Sequence, residues 1–290
     1  MSNAGVSNLE FTTSGSGFHR FIGLSLSGGK NDKACIAVIE YFPKYHKIFL
    51  TKIYDKITGE PAYSADQRIN DILNSYKDSI ESIAVDAPLQ LPLCLDCKLE
   101  CPGYEECNEE HVAWMRKQIQ KKQKKKKVKK AFTPYTQKSV EFIVNDDLEE
   151  NFQLSHSLGA NLAPLVARCV FLKRRFSEAK WIEVFPKLSI WRIGRSMNVS
   201  KSDLRFHRHA VSGNEVRETI LEELVEHKLA FVYDQDKKIM VQNNHAFEAF
   251  ICALTGFLKY FDQNEGRPKD FPAKESWIDF PKEKIKWEKV

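Results

Sequence analysis

The sequence predicts a mixed α/β fold in which helices flank a β-sheet. Three observations support this prediction. Apolar runs separated by turn residues predict three strands before residue 55, a helical pattern and a fourth strand follow, and helix and strand patterns resume from about residue 140. Strands that alternate with helices in this way are typical of a sheet covered by helices.

The first half of the chain is predicted to hold four strands and one helix. Ile69, Ile72 and Leu73 have the i, i+3, i+4 spacing of a helix. In chain order, the elements are the strands Phe21–Leu26, Cys35–Ile39 and Ile48–Tyr54, the helix Ser64–Tyr76 and the strand Ile83–Val85.

The second half is predicted to hold four helices and a fifth strand. The last helix has the strongest pattern, because Phe247, Phe250, Ile251, Leu254 and Leu258 fall on one face. In chain order, the elements are the helices Val140–Asn151 and Leu162–Phe176, the strand Trp181–Phe185 and the helices Asn214–His227 and His245–Tyr260.

Composition and pattern predict one large domain of residues 18–290. Residues 1–17 are rich in Ser, Gly, Thr and Asn, so we expect them to be disordered, and Ser2-Asn3-Ala4 is typical of a cloning remnant. Residues 92–140 interrupt the α/β pattern with cysteines and lysines, and we interpret them as an insertion between the fourth and fifth strands.

The chain has a formal net charge of +5, and its charge is unevenly distributed. Ten basic residues and no acid lie between Arg116 and Lys130. No apolar stretch is long enough for a membrane span and no signal sequence is evident, so we expect a cytoplasmic protein without membrane contact. In that compartment thiols stay reduced, and clustered cysteines more often bind metal than form disulfides.

Four of the seven cysteines, Cys94, Cys97, Cys101 and Cys107, form the pattern C-x2-C-x3-C-x5-C. Zinc prefers four tetrahedral ligands, and C-x2-C brings two thiolates to one ion. We therefore expect a structural zinc site that stabilises the insertion and has no open position for catalysis. An iron–sulfur cluster and free or disulfide-linked cysteines are the alternatives.

Three acids and a histidine are candidate catalytic residues. Asp86 and Glu183 lie at the ends of the fourth and fifth predicted strands, and His245 and Glu248 lie at i and i+3 on the last helix. Carboxylate oxygens suit Mg²⁺ or Mn²⁺, so the four residues are expected to surround one or two such ions. Each also has a structural interpretation, such as a capped turn or an ion pair.

Two further sets of residues are candidates for binding polyanions. The hydroxyls of Ser25 and Ser27 are placed to donate to a phosphate at the end of the first strand. Lysines of the insertion are candidates for contacts with nucleic-acid phosphates, although a solvated, flexible segment is equally compatible with the pattern. These lysines are Lys121, Lys122, Lys124, Lys125, Lys126 and Lys127.

Five short motifs in a fixed order span about residues 19–262. They are Phe21-Ile22-Gly23-Leu24-Ser25-Leu26, Val85-Asp86-Ala87-Pro88-Leu89, Leu158-Gly159-Ala160-Asn161, Ile182-Glu183-Val184-Phe185-Pro186, and the segment from His245 to Thr255. In this order and spacing the chain resembles the domain-of-unknown-function family described as predicted nucleases with an RNase H-like fold, in a subgroup with a four-cysteine insertion.

This resemblance implies a five-stranded mixed sheet, with the first three strands antiparallel and helices on both faces. It also implies a two-magnesium site for phosphodiester hydrolysis. Asp86 corresponds to the fourth-strand acid, Glu248 to the last-helix acid, His245 to an adjoining helix ligand and Glu183 to an additional acid. The chain departs from the pattern at Ser25, where the family usually has the first-strand aspartate.

Three functions are compatible with the sequence. The first is a metal-dependent nuclease on DNA or RNA that uses Asp86, Glu183, His245 and Glu248. The second is a catalytically impaired RNase H-like module that binds nucleic acid or protein, as Ser25 would favour. The third is an enzyme acting on a small phosphorylated metabolite, since one fold hosts many activities.

Overall fold

The structure is a computed structural model that describes residues 17–28, 33–123, 132–146, 154–159, 162–209, 212–227 and 229–290. The segment expected to be disordered lies outside these ranges except for Gly17, so its boundary stays a prediction. Within the described ranges, no helix combines the length and the apolar character needed to cross a membrane.

The sheet is mixed and wider than expected. Its strands within the described ranges are β1 His19–Leu26, β2 Ala34–Phe42, β3 Lys47–Ile57, β4 Ile80–Val85, β5 Trp181–Val184, β6 Ala230–Phe231 and β7 Ile278–Asp279. They lie in the order β6-β3-β2-β1-β4-β5-β7. The pairs β1–β2 and β2–β3 are antiparallel and the others are parallel. All five predicted strands are present, and two strands of two residues extend the edges.

Helices cover both faces of this sheet. Within the described ranges they are α1 Ala65–Tyr76, α2 Glu110–Gln123, α3 Ser139–Asp146, α4 Leu162–Arg175, α5 Pro186–Ser196, α6 Lys201–Leu204, α7 Gly213–Glu226, α8 Asp234–Gln242 and α9 Asn244–Tyr260. Helices α1, α3, α4, α7 and α9 match the predicted helices, although residues 147–151 of the predicted helix Val140–Asn151 lie outside the described part.

Helix α9 packs directly against β1. All residues from Ala246 to Leu258 are buried, as in a helix at the centre of a core. Gly23 permits this approach, because a Cβ atom at that position would lie 1.8 Å from the Ala249 carbonyl oxygen. On the other face of the sheet, Ile22 and Leu24 pack in one cluster with residues of α1 and α4.

The insertion is not a separate module. Val112, Trp114 and Met115 of α2 are buried in the same core cluster as Phe142 and Phe271. The ring of Trp114 lies 5.6 Å from that of Phe271 and 6.5 Å from that of Phe142. The helix that follows the cysteines is therefore part of the main domain.

Candidate active site

Asp86 lies just beyond β4, beside the end of β1. Its Oδ1 accepts a hydrogen bond from the Leu26 backbone N–H at 2.8 Å, and its Oδ2 accepts one from the Ser25 hydroxyl at 2.6 Å. The parallel pairing of β1 with β4 brings these residues together, because it aligns the carboxyl ends of the two strands. Both oxygens of Asp86 are thus held in place from β1.

The first turn of α9 supplies two more polar side chains. The Asn243 side chain caps this helix and accepts hydrogen bonds from the N–H groups of His245 and Ala246. His245 and Glu248 then face the same side, with His245 Nδ1 3.9 Å from Glu248 Oε2. His245 Nδ1 also lies 3.1 Å from the Ser25 hydroxyl oxygen.

Asp86, His245 and Glu248 form a cluster that we call the Asp86 cluster. One ligand atom from each lies within 4.8 Å of the other two, and no other group of three His, Cys, Asp or Glu side chains in the described ranges meets this limit. Glu248 is fully buried, and its Oε2 atom has no hydrogen-bond partner. Buried polar atoms are normally paired, so this oxygen is suited to a cation.

Arg208 balances the charge of Glu248. Its Nε donates to Glu248 Oε1 at 2.6 Å, while His207 Nε2 lies 3.8 Å from the same oxygen. Although burial acts to raise the pKa of Glu248, its neighbours His207 and Arg208 hold that pKa below its usual value. Glu248 is therefore a carboxylate at neutral pH.

Asp86 behaves differently. Desolvation, and then the negative charge of Glu248, raise the pKa of Asp86 to about 7. The two carboxylates repel each other, so at neutral pH Asp86 carries a proton in a substantial share of the molecules. A cation between them would remove this repulsion.

A cavity of about 470 Å³ opens in front of the Asp86 cluster. Its lining includes all three residues of the cluster and three cationic side chains, Lys187, Arg205 and Arg208. A second cavity of about 520 Å³ lies beside it, and His245 lines both. Lys33 and Lys56 line the second cavity. Cationic side chains therefore line both cavities beside the Asp86 cluster, an arrangement that suits a phosphate-bearing ligand.

A larger cavity of about 620 Å³ lies between β5 and the C-terminal segment. It is lined by Trp181 and Trp277 and by the ion pair of Lys259 with Asp279, at 2.7 Å. It contains no member of the Asp86 cluster. Size alone therefore does not identify the candidate active site.

A family model described as Protein of unknown function (DUF429) matches residues 37–276. The chain belongs to this family. The matched range includes Asp86, His245 and Glu248, whereas Ser25 precedes it. No curated protein and no solved structure shows a significant match to the chain.

Glu183, the fourth predicted catalytic residue, is not part of the Asp86 cluster in this DUF429 chain. Its Oε1 accepts from the Lys138 ammonium at 2.5 Å and its Oε2 accepts from the Leu89 N–H at 2.9 Å. Both Glu183 and Lys138 are buried. This pairing is the structural alternative that the sequence left open, with a lysine as the partner.

The two serines also have partners within the protein. Ser25 donates its hydroxyl proton to Asp86, and Ser27 donates to the Lys33 carbonyl oxygen at 2.8 Å. Ser25 is buried beneath the Asp86 cluster, and Ser27 lines the second cavity. Ser25 therefore positions Asp86 in this structure, and phosphate binding by either serine stays a prediction.

The predicted lysine contacts lie mostly beyond what the structure describes. Lys121 is exposed near the end of α2, and Lys122 lies on the same helix. Lys124, Lys125, Lys126 and Lys127 fall outside the described residues. The structure thus leaves nucleic-acid binding by this run as a prediction.

The four clustered cysteines line one cavity of about 280 Å³, and all four are free thiols. No three of them bring their sulfur atoms within 4.8 Å of one another. The other three cysteines, Cys35, Cys169 and Cys252, are buried in the core as their apolar surroundings predict. The zinc ion expected from the spacing stays a prediction.

Sequence reasoning missed Lys138, Arg205 and Arg208. Arg208 pairs with an acid 40 positions away, and Lys138 with one 45 positions away, so no local spacing points to either contact. From the sequence alone, the cluster of Arg205, His207, Arg208 and His209 is most simply explained as a basic surface. In the structure it carries the counter-ion of Glu248.

A buried acid near the site gives a pH-dependent prediction. Burial raises the pKa of Glu141 to about 8, against the lowering effects of Lys138 and Ser157. Because the folded pKa lies above the unfolded one, this group stabilises fully below about pH 4.5, and the contribution is lost as pH rises through 8. Between these two pH values the free energy of unfolding should therefore fall as pH rises. We expect Glu141→Gln to reduce this slope by on the order of 1 kcal/mol per pH unit.

Urea unfolding at several pH values between 5 and 9 measures this effect. Glu226→Gln, at an exposed position on α7, is the matched control. An unchanged slope in Glu141→Gln would contradict the assignment of the slope to Glu141.

Proposed function

We propose that this chain is a divalent-metal-dependent phosphodiesterase that acts on DNA or RNA, with Asp86, His245 and Glu248 as the metal ligands. We also propose that its fold is RNase H-like. The order β3-β2-β1-β4-β5 of the five longer strands, with β2 antiparallel to both neighbours, supports the second proposal.

The observation that carries the proposed activity is the unpartnered Oε2 atom of Glu248 inside the Asp86 cluster. Two carboxylates and an imidazole fit Mn²⁺ well and Mg²⁺ less closely, because magnesium favours oxygen ligands alone. When bound, such an ion would stabilise the negative charge on a phosphoryl oxygen and lower the pKa of a bound water. The donor set thus fits the ion that the chemistry needs.

The remaining residues supply positioning and charge. Ser25 and the Leu26 N–H hold the two oxygens of Asp86, and Arg208 fixes Oε1 of Glu248. Lys187 and Arg205 line the cavity in front of these acids, where they attract and orient phosphate groups. The lysine run would add sequence-independent contacts to a nucleic-acid backbone.

A second candidate function is an RNase H-like binding module with impaired catalysis. Ser25 favours it, because a neutral hydroxyl binds Mg²⁺ less well than the carboxylate usual at this position. Arg208 also favours it, since its guanidinium already neutralises Glu248. In this case the cationic cavity binds nucleic acid or an acidic protein partner without cleaving it.

Cleavage assays with Mn²⁺ or Mg²⁺ on branched, single-stranded and hybrid substrates distinguish the two functions. We expect Asp86→Asn to reduce cleavage by about 10²-fold or more, because the mutation removes a charge that holds the ion. Asp78→Asn is the matched control, at an exposed position near the start of β4 and away from the cluster.

The binding function makes the opposite prediction for the same assay. Equal residual cleavage by the wild-type protein and Asp86→Asn, together with salt-sensitive binding of nucleic acid by both, would contradict the nuclease and favour the binding module. Isothermal titration with Mn²⁺ measures ion binding independently of cleavage.

A further inference from the structure

The insertion contains a second set of possible metal ligands. They are mainly thiols, whereas the Asp86 cluster consists of two carboxylates and an imidazole. Cys94, Cys97, Cys101 and Cys107 line a cavity of about 280 Å³, and His111 lines it with them. The cavity therefore has five thiol and imidazole donors, and the carboxylates of Glu100 and Glu109 also line it. Zinc in structural sites takes four ligands, which are thiolates and imidazoles.

His111 is the residue that the cysteine spacing does not predict. It is only 5% exposed, and its Nε2 atom is buried without a hydrogen-bond partner among the described residues. An unpaired buried polar atom costs about 1–3 kcal/mol, so a buried imidazole is normally paired. A metal ion in the adjoining cavity would satisfy this nitrogen.

The sequence spacing supports His111 as a ligand. His111 follows Cys107 by four positions, and α2 begins at Glu110 between them. Cys107 lies in the loop before the helix, and ligands only a few residues apart in the chain are typical of structural zinc sites. A cysteine just before a helix and a histidine in its first turn thus form a natural ligand pair.

We propose that the insertion binds one zinc ion through His111 and three of the four thiolates of Cys94, Cys97, Cys101 and Cys107. Zinc takes four ligands, so one of the four thiols is left without a role at the ion, and serine variants identify which one. This set differs from the four-thiolate site expected from the cysteine spacing alone. No three donor atoms among the four cysteines and His111 lie within 4.8 Å of one another, so binding requires the cysteine loop and the start of α2 to move closer together.

The proposed site has a structural role. It joins the loop after Pro92 to α2, whose Val112, Trp114 and Met115 are packed in the main core. A closed tetrahedral site leaves no position for substrate, so it fixes the insertion and does not catalyse. Loss of the ion should therefore lower the thermal stability of the insertion and leave the Asp86 cluster's ligands intact.

The proposal is tested on the purified full-length chain by elemental analysis, chelator competition and cobalt substitution. We expect one equivalent of zinc and a cobalt spectrum with three metal–thiolate bonds. His111→Asn should weaken zinc binding by more than 100-fold, beyond the 10–100-fold typical of a residue that only hydrogen-bonds to a ligand. His111→Cys should retain zinc and give the spectrum of four thiolates.

Serine variants and a control complete the test. Three of the four variants Cys94→Ser, Cys97→Ser, Cys101→Ser and Cys107→Ser should lose zinc, while the fourth and the control His227→Asn, on an exposed histidine at the end of α7, should keep it. Four metal–thiolate bonds in the wild type, unchanged zinc affinity in His111→Asn, or stoichiometric iron in place of zinc would each overturn the proposal. Because these readouts do not involve cleavage, they are independent of the proposed nuclease.

Discussion

Replacing Glu183 by glutamine should lower the free energy of unfolding by about 3–5 kcal/mol, because it leaves a charged lysine unpaired in the core. Lys138 is only 1% exposed, and its ammonium lies 2.5 Å from Glu183 Oε1. Glutamine keeps an acceptor for the Leu89 N–H, so the decrease in the free energy of unfolding is assigned to the lost ion pair. Urea unfolding at pH 7 measures it.

A double-mutant cycle separates the ion pair from other effects. We expect Lys138→Met combined with Glu183→Gln to recover much of the lost stability, since no unpaired buried charge remains. The exposed pair Lys237 and Glu222, with atoms 2.7 Å apart, is the matched control and should show a coupling below about 1 kcal/mol.

The same variants decide whether Glu183 has a catalytic role. The resemblance to RNase H-like nucleases assigns one, whereas the contacts of Glu183 in the structure are those of a buried structural ion pair. Unchanged stability in Glu183→Gln together with loss of cleavage would favour catalysis and contradict our interpretation. Loss of stability in Glu183→Gln, together with retained cleavage in the double variant, would exclude a catalytic role for Glu183.

The five longer strands and the central helix could be predicted because their apolar patterns are strong. β6 and β7 have two residues each, too few for any pattern. Helix α5 was missed because Leu188, Ile190, Trp191 and Ile193 are buried on several sides, which gives no single apolar stripe. Helix α8 was missed for the opposite reason, since Met240 is its one buried residue.

The candidate site was predictable where its residues have positions fixed by local structure. Asp86 ends a strand, and His245 and Glu248 share a helical turn, so chain order and spacing bring them together. Arg208 lies in a loop after α6, where no periodicity predicts which side chain it meets. Together with His207, it nevertheless holds the pKa of Glu248 below its usual value, and only the three-dimensional contacts reveal this.

Ser25 is the residue at which the chain departs most from the RNase H-like site that it resembles. A single substitution tests the consequence of this departure. Its hydroxyl donates to Asp86 Oδ2 at 2.6 Å and lies 3.1 Å from His245 Nδ1. A carboxylate at this position would add a third negative charge to the cluster. We therefore expect Ser25→Asp to raise Mn²⁺ binding from one equivalent to two and to increase cleavage by on the order of tenfold or more.

The same charge has a cost when no ion is bound. Burial and Glu248 already raise the pKa of Asp86 to about 7, so a further acid beside it should lower the stability of the metal-free protein at neutral pH. Mn²⁺ should then raise the melting temperature of Ser25→Asp more than that of the wild type, because binding to the folded state adds stability. Ser25→Asn, which has a similar shape and no charge, should lose stability without gaining an ion. One equivalent of Mn²⁺ and unchanged cleavage in Ser25→Asp would show that the missing aspartate is not what limits this site, and would leave the two-metal mechanism without support.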